Sequence, residues 1–241
     1  MTIAELEKQI AGLESEKQAF NRSKSSAKYK LQDYTVLLES AQSRFNRMNL
    51  DWGNLKQRIQ KHSDGTIANP VQLDGLPLNA DIKQIGIKLN QLADKSRTGG
   101  QYEEIGNLYG FTLLVKTEMS EKEGLDIRVN RFLVQGEGNI KYTYNNGLIA
   151  KDEKLAAMNF LNALEKLPSY IDQEKKKIVE IQKDLPVLQE VINGTWAKED
   201  RLSELKTELA SVERKIQLSI NPENKGKEKK GIYINYYFNH R

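Results

Sequence analysis

The feature that most constrains this chain is a seven-residue repeat that runs from residue 3 to residue 59. Two interleaved rows of mostly apolar residues occupy the a and d positions of successive heptads. The first row is Ile3, Ile10, Lys17, Lys24, Leu31, Leu38, Phe45, Trp52 and Ile59, and the second is Leu6, Leu13, Phe20, Ala27, Tyr34, Ala41, Met48 and Leu55. The repeat is longer than the three or four heptads that separate a coiled coil from chance. It predicts one long helix over 1–62 that frays or bends around 21–26, where poor helix formers and the seam lysine Lys24 occur.

The repeat returns near the other end of the chain. Its rows contain Ile171, Ile178, Leu185 and Ile192, and then Leu202, Leu205, Leu209, Val212 and Ile216. Asn193-Gly194 is typical of the end of a helix, and Thr195 is typical of the N-cap of the next one. Pro186 predicts a kink in the earlier helix. At least two helices are therefore expected. The two arms should pair antiparallel with partner numbers that total about 230, which brings Trp52 near Ile178 and Phe20 near Leu209.

The segment between the arms has shorter periods and turn residues. The predicted elements are a strand and turn over 71–75, a helix over 81–94, strands over 105–117, 125–135 and 140–144, and a helix over 155–167. We therefore predict an α+β fold that is predominantly α, with a long antiparallel coiled-coil-like helical arm and a small antiparallel meander inserted at one end. The expected domains are the outgoing arm 1–62, the α+β unit 63–167, the returning arm 168–220 and a flexible Lys-rich tail 221–241.

The seam of the arm should be packed rather than available for base stacking. The seam residues that we expect to pack are Leu31, Leu38, Phe45, Trp52, Leu55, Ile59, Ile178 and Leu209. Basic residues are concentrated beside this seam, since residues 17–62 carry ten basic and three acidic side chains in a chain of net charge +4. A basic helical face can bind a DNA backbone without reading sequence. The candidates for such contacts are Lys28, Lys30, Arg44, Arg47, Arg58 and Lys61.

A second interpretation of these cations is that they form ion pairs between helices, which is their commoner role beside a coiled-coil seam. Acids of the returning arm, such as Glu180, Glu190 or Glu204, would then neutralise them. The sequence leaves both interpretations open, and it also leaves open whether the seam closes within one chain or between two.

Several classes of site are disfavoured by composition. The chain has no cysteine and two histidines, which excludes disulfides, thiolate zinc sites and cysteine nucleophiles. Gly136-Glu137-Gly138 lacks the third glycine of a nucleotide-binding loop and is interpreted as a β-turn. No apolar run approaches the ~18 residues of a membrane span, and the acidic start is unlike a signal peptide. We expect a cytoplasmic, non-catalytic protein that needs no metal or cofactor and does not enter a membrane.

Three motifs follow one another along the chain. They are EEIGNLYGFTLLV at 103–115 with Ile105, Gly106, Gly110 and Phe111, then FLNALEKLP at 160–168 with Asn162, Ala163, Leu164 and Leu167, and a closing helix with Glu208, Leu209, Val212 and Ile216. Their order resembles the extreme C-terminal part of the very large SNF2-like helicase and adenine-specific DNA methyltransferase proteins of conjugative elements and phages. The resemblance covers 1–220, and its specificity lies in the central block.

The catalytic motifs of those proteins are missing from this sequence. There is no G-x-x-x-x-G-K-[ST] phosphate loop, no acidic helicase motif and no Asn-Pro-Pro-aromatic methylase motif. The resemblance therefore implies a non-catalytic accessory region that positions DNA or partner domains, with DNA and a helicase or methyltransferase core as partners. The alternative is a structural or oligomerising coiled-coil protein without a role in nucleic-acid binding.

Overall fold

A computed structural model describes residues 2–122 and 125–220 of the chain. It contains long helices and one five-stranded antiparallel sheet, which confirms the predominantly α class of α+β fold. The chain divides into two compact units. The central unit is Asp33–Leu185, and the terminal unit contains the described residues that lie within 1–32 and 186–241. The expected tail 221–241 lies outside the described residues, and the four-domain division remains a prediction. Within the described ranges, no helix is both long and apolar enough to cross a membrane.

Helix α1 is Ile3–Arg58, close to the predicted bounds. It begins with a capping box, in which Thr2 Oγ1 accepts from Glu5 N at 3.2 Å and Thr2 N donates to Glu5 Oε2 at 2.8 Å. Hydrogen bonds to the Glu5 carboxylate from the backbone N–H and then from the side chain of Thr2 lower the pKa of Glu5. The helix is continuous over 21–26, so the fraying expected there is wrong, and the bend stays a prediction. Lys24, a break in the apolar seam, instead extends its Nζ to Gly194 O at 2.7 Å.

The terminal unit is an antiparallel pair formed by the first part of α1 and helix α6, Glu199–Ile220. Its core contains Leu6, Ile10, Leu202 and Leu205, with Leu13, Trp196, Leu209 and Val212 packed against it. Ion pairs flank this core, between Lys17 and Glu199 at 2.5 Å, Glu16 and Lys198 at 2.6 Å, and Glu14 and Lys206 at 2.5 Å.

The expected register of the arms is wrong. It would place Lys17 opposite residue 213, whereas Lys17 pairs with Glu199. The central unit has the same offset, because Arg44 bonds Glu174 at 2.8 Å and Trp52 packs in a cluster with Ile171. The reason is that the last turns of α1 contact the sheet. Pairing with the returning helix therefore starts at residues of α1 that are nearer its N-terminus.

The returning segment consists of two helices, as predicted. Helix α5 is Leu167–Asn193, and it continues through Pro186. Thr195 is not the N-cap of α6, which starts four residues later. Trp196 lies between these points and packs against the terminal core.

The sheet is a meander with strands in chain order. The strands are β1 Gln72–Leu73, β2 Tyr102–Leu108, β3 Phe111–Lys122, β4 Leu125–Gln135 and β5 Lys141–Tyr142. The stretch 105–117, expected to be one strand, is divided by a two-residue turn. Tyr109 and Gly110 have φ of 54° and 83°, the left-handed values that a type I′ hairpin needs. Asn107 Oδ1 accepts from Gly110 N at 3.0 Å and fixes this turn.

One face of the sheet is covered by short helices. They are α2 Ile82–Lys95, α3 Glu153–Ala157 and α4 Asn159–Glu165, so the helix predicted over 155–167 is interrupted at Met158. The core between sheet and helices includes Leu89, Phe111, Phe132 and Phe160, all fully buried. Burial of this face leaves the opposite face of the sheet as a possible binding surface.

Substitution of two helical glycines tests the packing of the central unit. A Cβ on Gly86 would lie 2.0 Å from Glu153 O, whereas a Cβ on Gly53 would meet nothing within 4 Å. We expect Gly86→Ala to lower the free energy of unfolding by about 1–3 kcal/mol through overpacking. Gly53→Ala, the matched control, should raise it by about 0.5–1 kcal/mol because alanine is the better helix former. Urea denaturation measures both, and equal effects of the two changes would contradict the α2–α3 contact.

Candidate nucleic-acid interface

The six basic residues predicted to contact DNA are placed in different environments. Lys28 and Lys30 are exposed on α1, and Lys61 is exposed beyond its end, where its backbone pairs with Ile67. Arg44 is held by Glu174, an acid of α5 other than the three expected partners, through two hydrogen bonds of 2.8 and 3.1 Å. These positions do not test DNA binding, which stays a prediction for all six residues.

Arg47 and Arg58 belong to a polar row of α1 that contacts two hairpin turns of the sheet. This docking face consists of Arg47, Asp51, Asn54 and Arg58, spaced four, three and four residues apart on one side of the helix. Arg47 donates from Nε to Gly138 O and from its guanidinium to Asn139 O at 2.6 Å. Asn54 donates to Glu137 Oε2 at 2.6 Å. Arg58 donates to Glu137 Oε1 at 2.5 Å and to Tyr109 O at 3.2 Å. Both arginines therefore serve the fold of the central unit.

Asp51 is the buried member of the docking face. Its carboxylate has no exposed surface and accepts from Gly138 N at 2.7 Å and from the Tyr142 hydroxyl at 2.6 Å. A Cβ on Gly136 would lie 2.3 Å from this carboxylate, so glycine is required for the close approach. Asn139 N donates to Gly136 O at 2.9 Å, which confirms the β-turn interpretation of Gly136-Glu137-Gly138. Burial and then the hydrogen bond to Asp51 raise the pKa of Tyr142, so its phenol remains a donor.

Removal of the Asp51 carboxylate should destabilise the central unit. Asp51→Ala leaves two donors without their acceptor, and we expect a loss of about 2–4 kcal/mol in the free energy of unfolding. Tyr142→Phe removes the phenol donor and keeps the Asp51 acceptor, and we expect it to lower the free energy of unfolding by about 1 kcal/mol. The control is Asp33→Ala, at an exposed position of α1, with an effect below about 0.5 kcal/mol. Chemical denaturation of the four proteins is the measurement, and an Asp51 variant as stable as the control would refute the docking role.

The exposed face of the sheet carries a cluster that the sequence analysis missed. Tyr102 on β2 is directly opposite Lys116 on β3, and Lys116 is opposite Arg131 on β4, so all three project from one face. Lys141 on β5 reaches the same place. Lys116 Nζ and Lys141 Nζ lie 5.2 and 4.6 Å from the centroid of the Tyr102 ring, which is 46% exposed. We call Tyr102, Lys116 and Lys141 the aromatic–lysine cluster.

Glu118 forms ion pairs beside this cluster. It bonds Arg131 Nε at 2.7 Å and Lys116 Nζ at 3.2 Å. The hydrogen bond from Arg131 and then that from Lys116 lower the pKa of Glu118, so its carboxylate is charged at neutral pH. It therefore offsets part of the positive charge of Lys116.

A cavity of about 760 Å³ adjoins the cluster through Lys116. Arg97 and Arg128 also line it, and Glu118 is the acidic residue in its wall. Gly99 and Gly100 form part of the wall with positive φ values. The adjacent backbone is fixed by reciprocal hydrogen bonds between Thr98 and Thr117, of 3.0 and 2.8 Å. Arg128 is opposite Met119 on β3, so it projects from the face of the sheet opposite to that of Lys116. Among the described residues that line the cavity or form the cluster, four are cations and one, Glu118, is an acid.

The central part of the chain matches a described family. Residues 56–164 match Domain of unknown function (DUF8438). The matched segment contains the whole sheet, including the aromatic–lysine cluster and the adjoining cavity. A search of curated proteins gave no significant match. Since the family carries no described function, the resemblance to helicase and methyltransferase proteins stays a prediction.

Proposed function

We propose that this chain is a non-catalytic accessory module of a cytoplasmic DNA helicase or methyltransferase system of mobile elements, and that it positions DNA through the exposed face of its sheet. The observation that carries the proposal is the aromatic–lysine cluster. An exposed ring on which a base can stack, beside cations that attract phosphate, is the combination by which proteins bind single strands without reading sequence.

The charges near the ring set the expected strength of such binding. Lys116 and Lys141 could neutralise about two phosphates of a single strand, which corresponds to a slope near −1.4 for log affinity against log salt. Affinity should then fall about 7-fold between ~50 and ~200 mM salt. Stacking of one base on Tyr102 adds about 1–3 kcal/mol that depends little on salt.

Substitutions in the cluster separate the charge contribution from the stacking contribution. Lys116→Gln/Lys141→Gln should weaken binding of a labelled single-stranded oligonucleotide and reduce the magnitude of the salt slope by about 1.4. Tyr102→Ala should weaken binding with the slope unchanged. Lys83→Gln/Lys154→Gln, at exposed positions of α2 and α3, is the matched control for charge. Fluorescence anisotropy at several salt concentrations is the measurement. Absence of a complex at micromolar protein and ~50 mM salt, or equal losses in both lysine pairs, would contradict the proposal.

Substitution of Glu118 should strengthen oligonucleotide binding, in contrast to the substitutions in the cluster. Glu118→Gln removes the carboxylate that bonds Lys116 and Arg131 Nε, so both cations lose a neutralising charge, while Arg131 keeps its hydrogen bond to Asn146 O. Affinity for the same oligonucleotide should rise about 2–5-fold at low salt. An unchanged or weakened affinity in a folded variant would show that phosphate does not approach this face.

The second candidate function is self-association of a structural coiled-coil protein. It is favoured by Val36 and Leu50, which lie two heptads apart in one row of α1 within the central unit and are 61 and 51% exposed. A second copy of the chain could cover this row. Sedimentation equilibrium of the wild type and of Val36→Glu tests it: a dimer that the substitution dissociates, together with no DNA binding, would favour this function.

A further inference from the structure

Strand β4 has an open edge along its first half in the described part of the chain. Strand β5 pairs only with the last two residues of β4. The 3₁₀ turn Asn145–Gly147 reaches the same edge further along, where a Cβ on Gly147 would lie 3.2 Å from Phe132 N. Residues 125–130 therefore have β3 on one side and no described strand on the other. Neither the docking face nor the aromatic–lysine cluster includes this edge.

The backbone groups of alternate residues point out of the open edge. Thr117 of β3 is opposite Asn130, and its N–H donates to Thr98 Oγ1 at 2.8 Å, on the side away from β4. Opposite residues of an antiparallel pair exchange both hydrogen bonds or neither, so Asn130 also directs its N–H and C=O away from β3. The same holds at every second residue, which adds Arg128 and Asp126. These groups are a template for another antiparallel strand.

Asn130 fixes the position of the open edge. Its side chain is buried, where Nδ2 donates to Ala93 O of α2 at 2.8 Å and Oδ1 accepts from Thr117 Oγ1 at 2.6 Å. Ile127 of the same edge is 41% exposed. A strand whose position is already fixed loses little conformational entropy when another strand binds.

Charge selects a second copy of the same edge as the partner, in one register. The sequence has Asp126 and Arg128 on either side of Ile127. When Ile127 of two copies are opposite each other, Asp126 of each copy is opposite Arg128 of the other, and both pairs exchange backbone hydrogen bonds. The two adjacent registers with this hydrogen bonding place two aspartates or two arginines directly opposite, which destabilises a strand pair. The edge is therefore complementary to itself.

The length of the open edge also agrees with this register. The partner's β4 begins at residue 125, which would lie opposite Val129, so it ends before the turn at Phe132. On the face that contains Ile127, the positions brought together are 125, 127 and 129, all apolar in the sequence.

We propose that the open edge of β4 pairs antiparallel with the same edge of a second copy of this chain, centred on Ile127. The two sheets then form one continuous sheet. Opposite residues lie on the same face, so the aromatic–lysine clusters of both copies are on one side of it. The inference does not depend on the proposed DNA binding. It also differs from association through Val36 and Leu50, because it uses the sheet.

A cysteine at position 127 tests the register. Opposite residues without mutual hydrogen bonds have Cα atoms about 4.5 Å apart, within the ~4.4–6.8 Å range of a disulfide, and the chain has no cysteine of its own. In a glutathione buffer, Ile127→Cys should form an intermolecular disulfide at least about tenfold faster than Met119→Cys, which is 61% exposed on the adjacent strand. Non-reducing electrophoresis measures both rates. Equal rates would overturn the register.

Exchange of the two charges tests the self-complementarity. Sedimentation equilibrium of the full chain should detect a dimer with a dissociation constant of about 10–100 μM, since the contact is short. Arg128→Asp puts acids opposite each other and should weaken the dimer about 10-fold or more, and Asp126→Arg/Arg128→Asp should restore it. Lys154→Asp, at an exposed position of α3, is the matched control for charge and should change nothing, as should Val36→Glu.

Two results of the charge exchange would overturn the proposal. One is a double variant that dimerises no better than Arg128→Asp alone. The other is a wild-type chain that remains monomeric at ~0.5 mM, which would leave the edge to a strand of another protein.

Discussion

The central unit depends on a carboxylate that is buried where a helix meets a sheet. Asp51 lies on the docking face of α1 and accepts from the turn after β4 and from a tyrosine of β5. A buried carboxylate is costly unless its lone pairs are used, and here a backbone amide and a phenol use them. Arg47, Asn54 and Arg58 extend this attachment along the helix to two hairpin turns. The attachment fixes the edges of a sheet whose opposite face carries the aromatic–lysine cluster.

Basic residues in this protein lie in two different environments, and charge counts do not distinguish them. Arg47 and Arg58 donate to backbone carbonyls, for which the several N–H groups of a guanidinium are well suited. Lys116 and Lys141 lie over an exposed aromatic ring. The local excess of positive charge in 17–62 therefore includes side chains whose contacts maintain the fold.

The helices could be predicted from the sequence because heptad spacing is a local property. The register of the helices could not, because each heptad resembles the next and a shift of two heptads keeps the apolar rows aligned. Contact between the end of α1 and two hairpin turns decides the register, and no local pattern encodes that contact. The aromatic–lysine cluster was missed for a related reason. Tyr102, Lys116 and Lys141 come from three strands, and only strand register brings them together. Predicting that strand register would have required recognising the turn at Tyr109-Gly110 first.

The pairing of α1 with α6 has a consequence for the order in which the chain can fold. Lys17 and Glu199 are separated by 182 positions, whereas the hairpins of the sheet join residues that are close in sequence. Contacts between distant residues form late because closing a long loop costs entropy before the contact stabilises it. During synthesis, Leu6 and Ile10 leave the ribosome long before Leu202 and Leu205, with which they share a core. The apolar face of this part of α1 is thus exposed to aggregation until α6 has also left the ribosome.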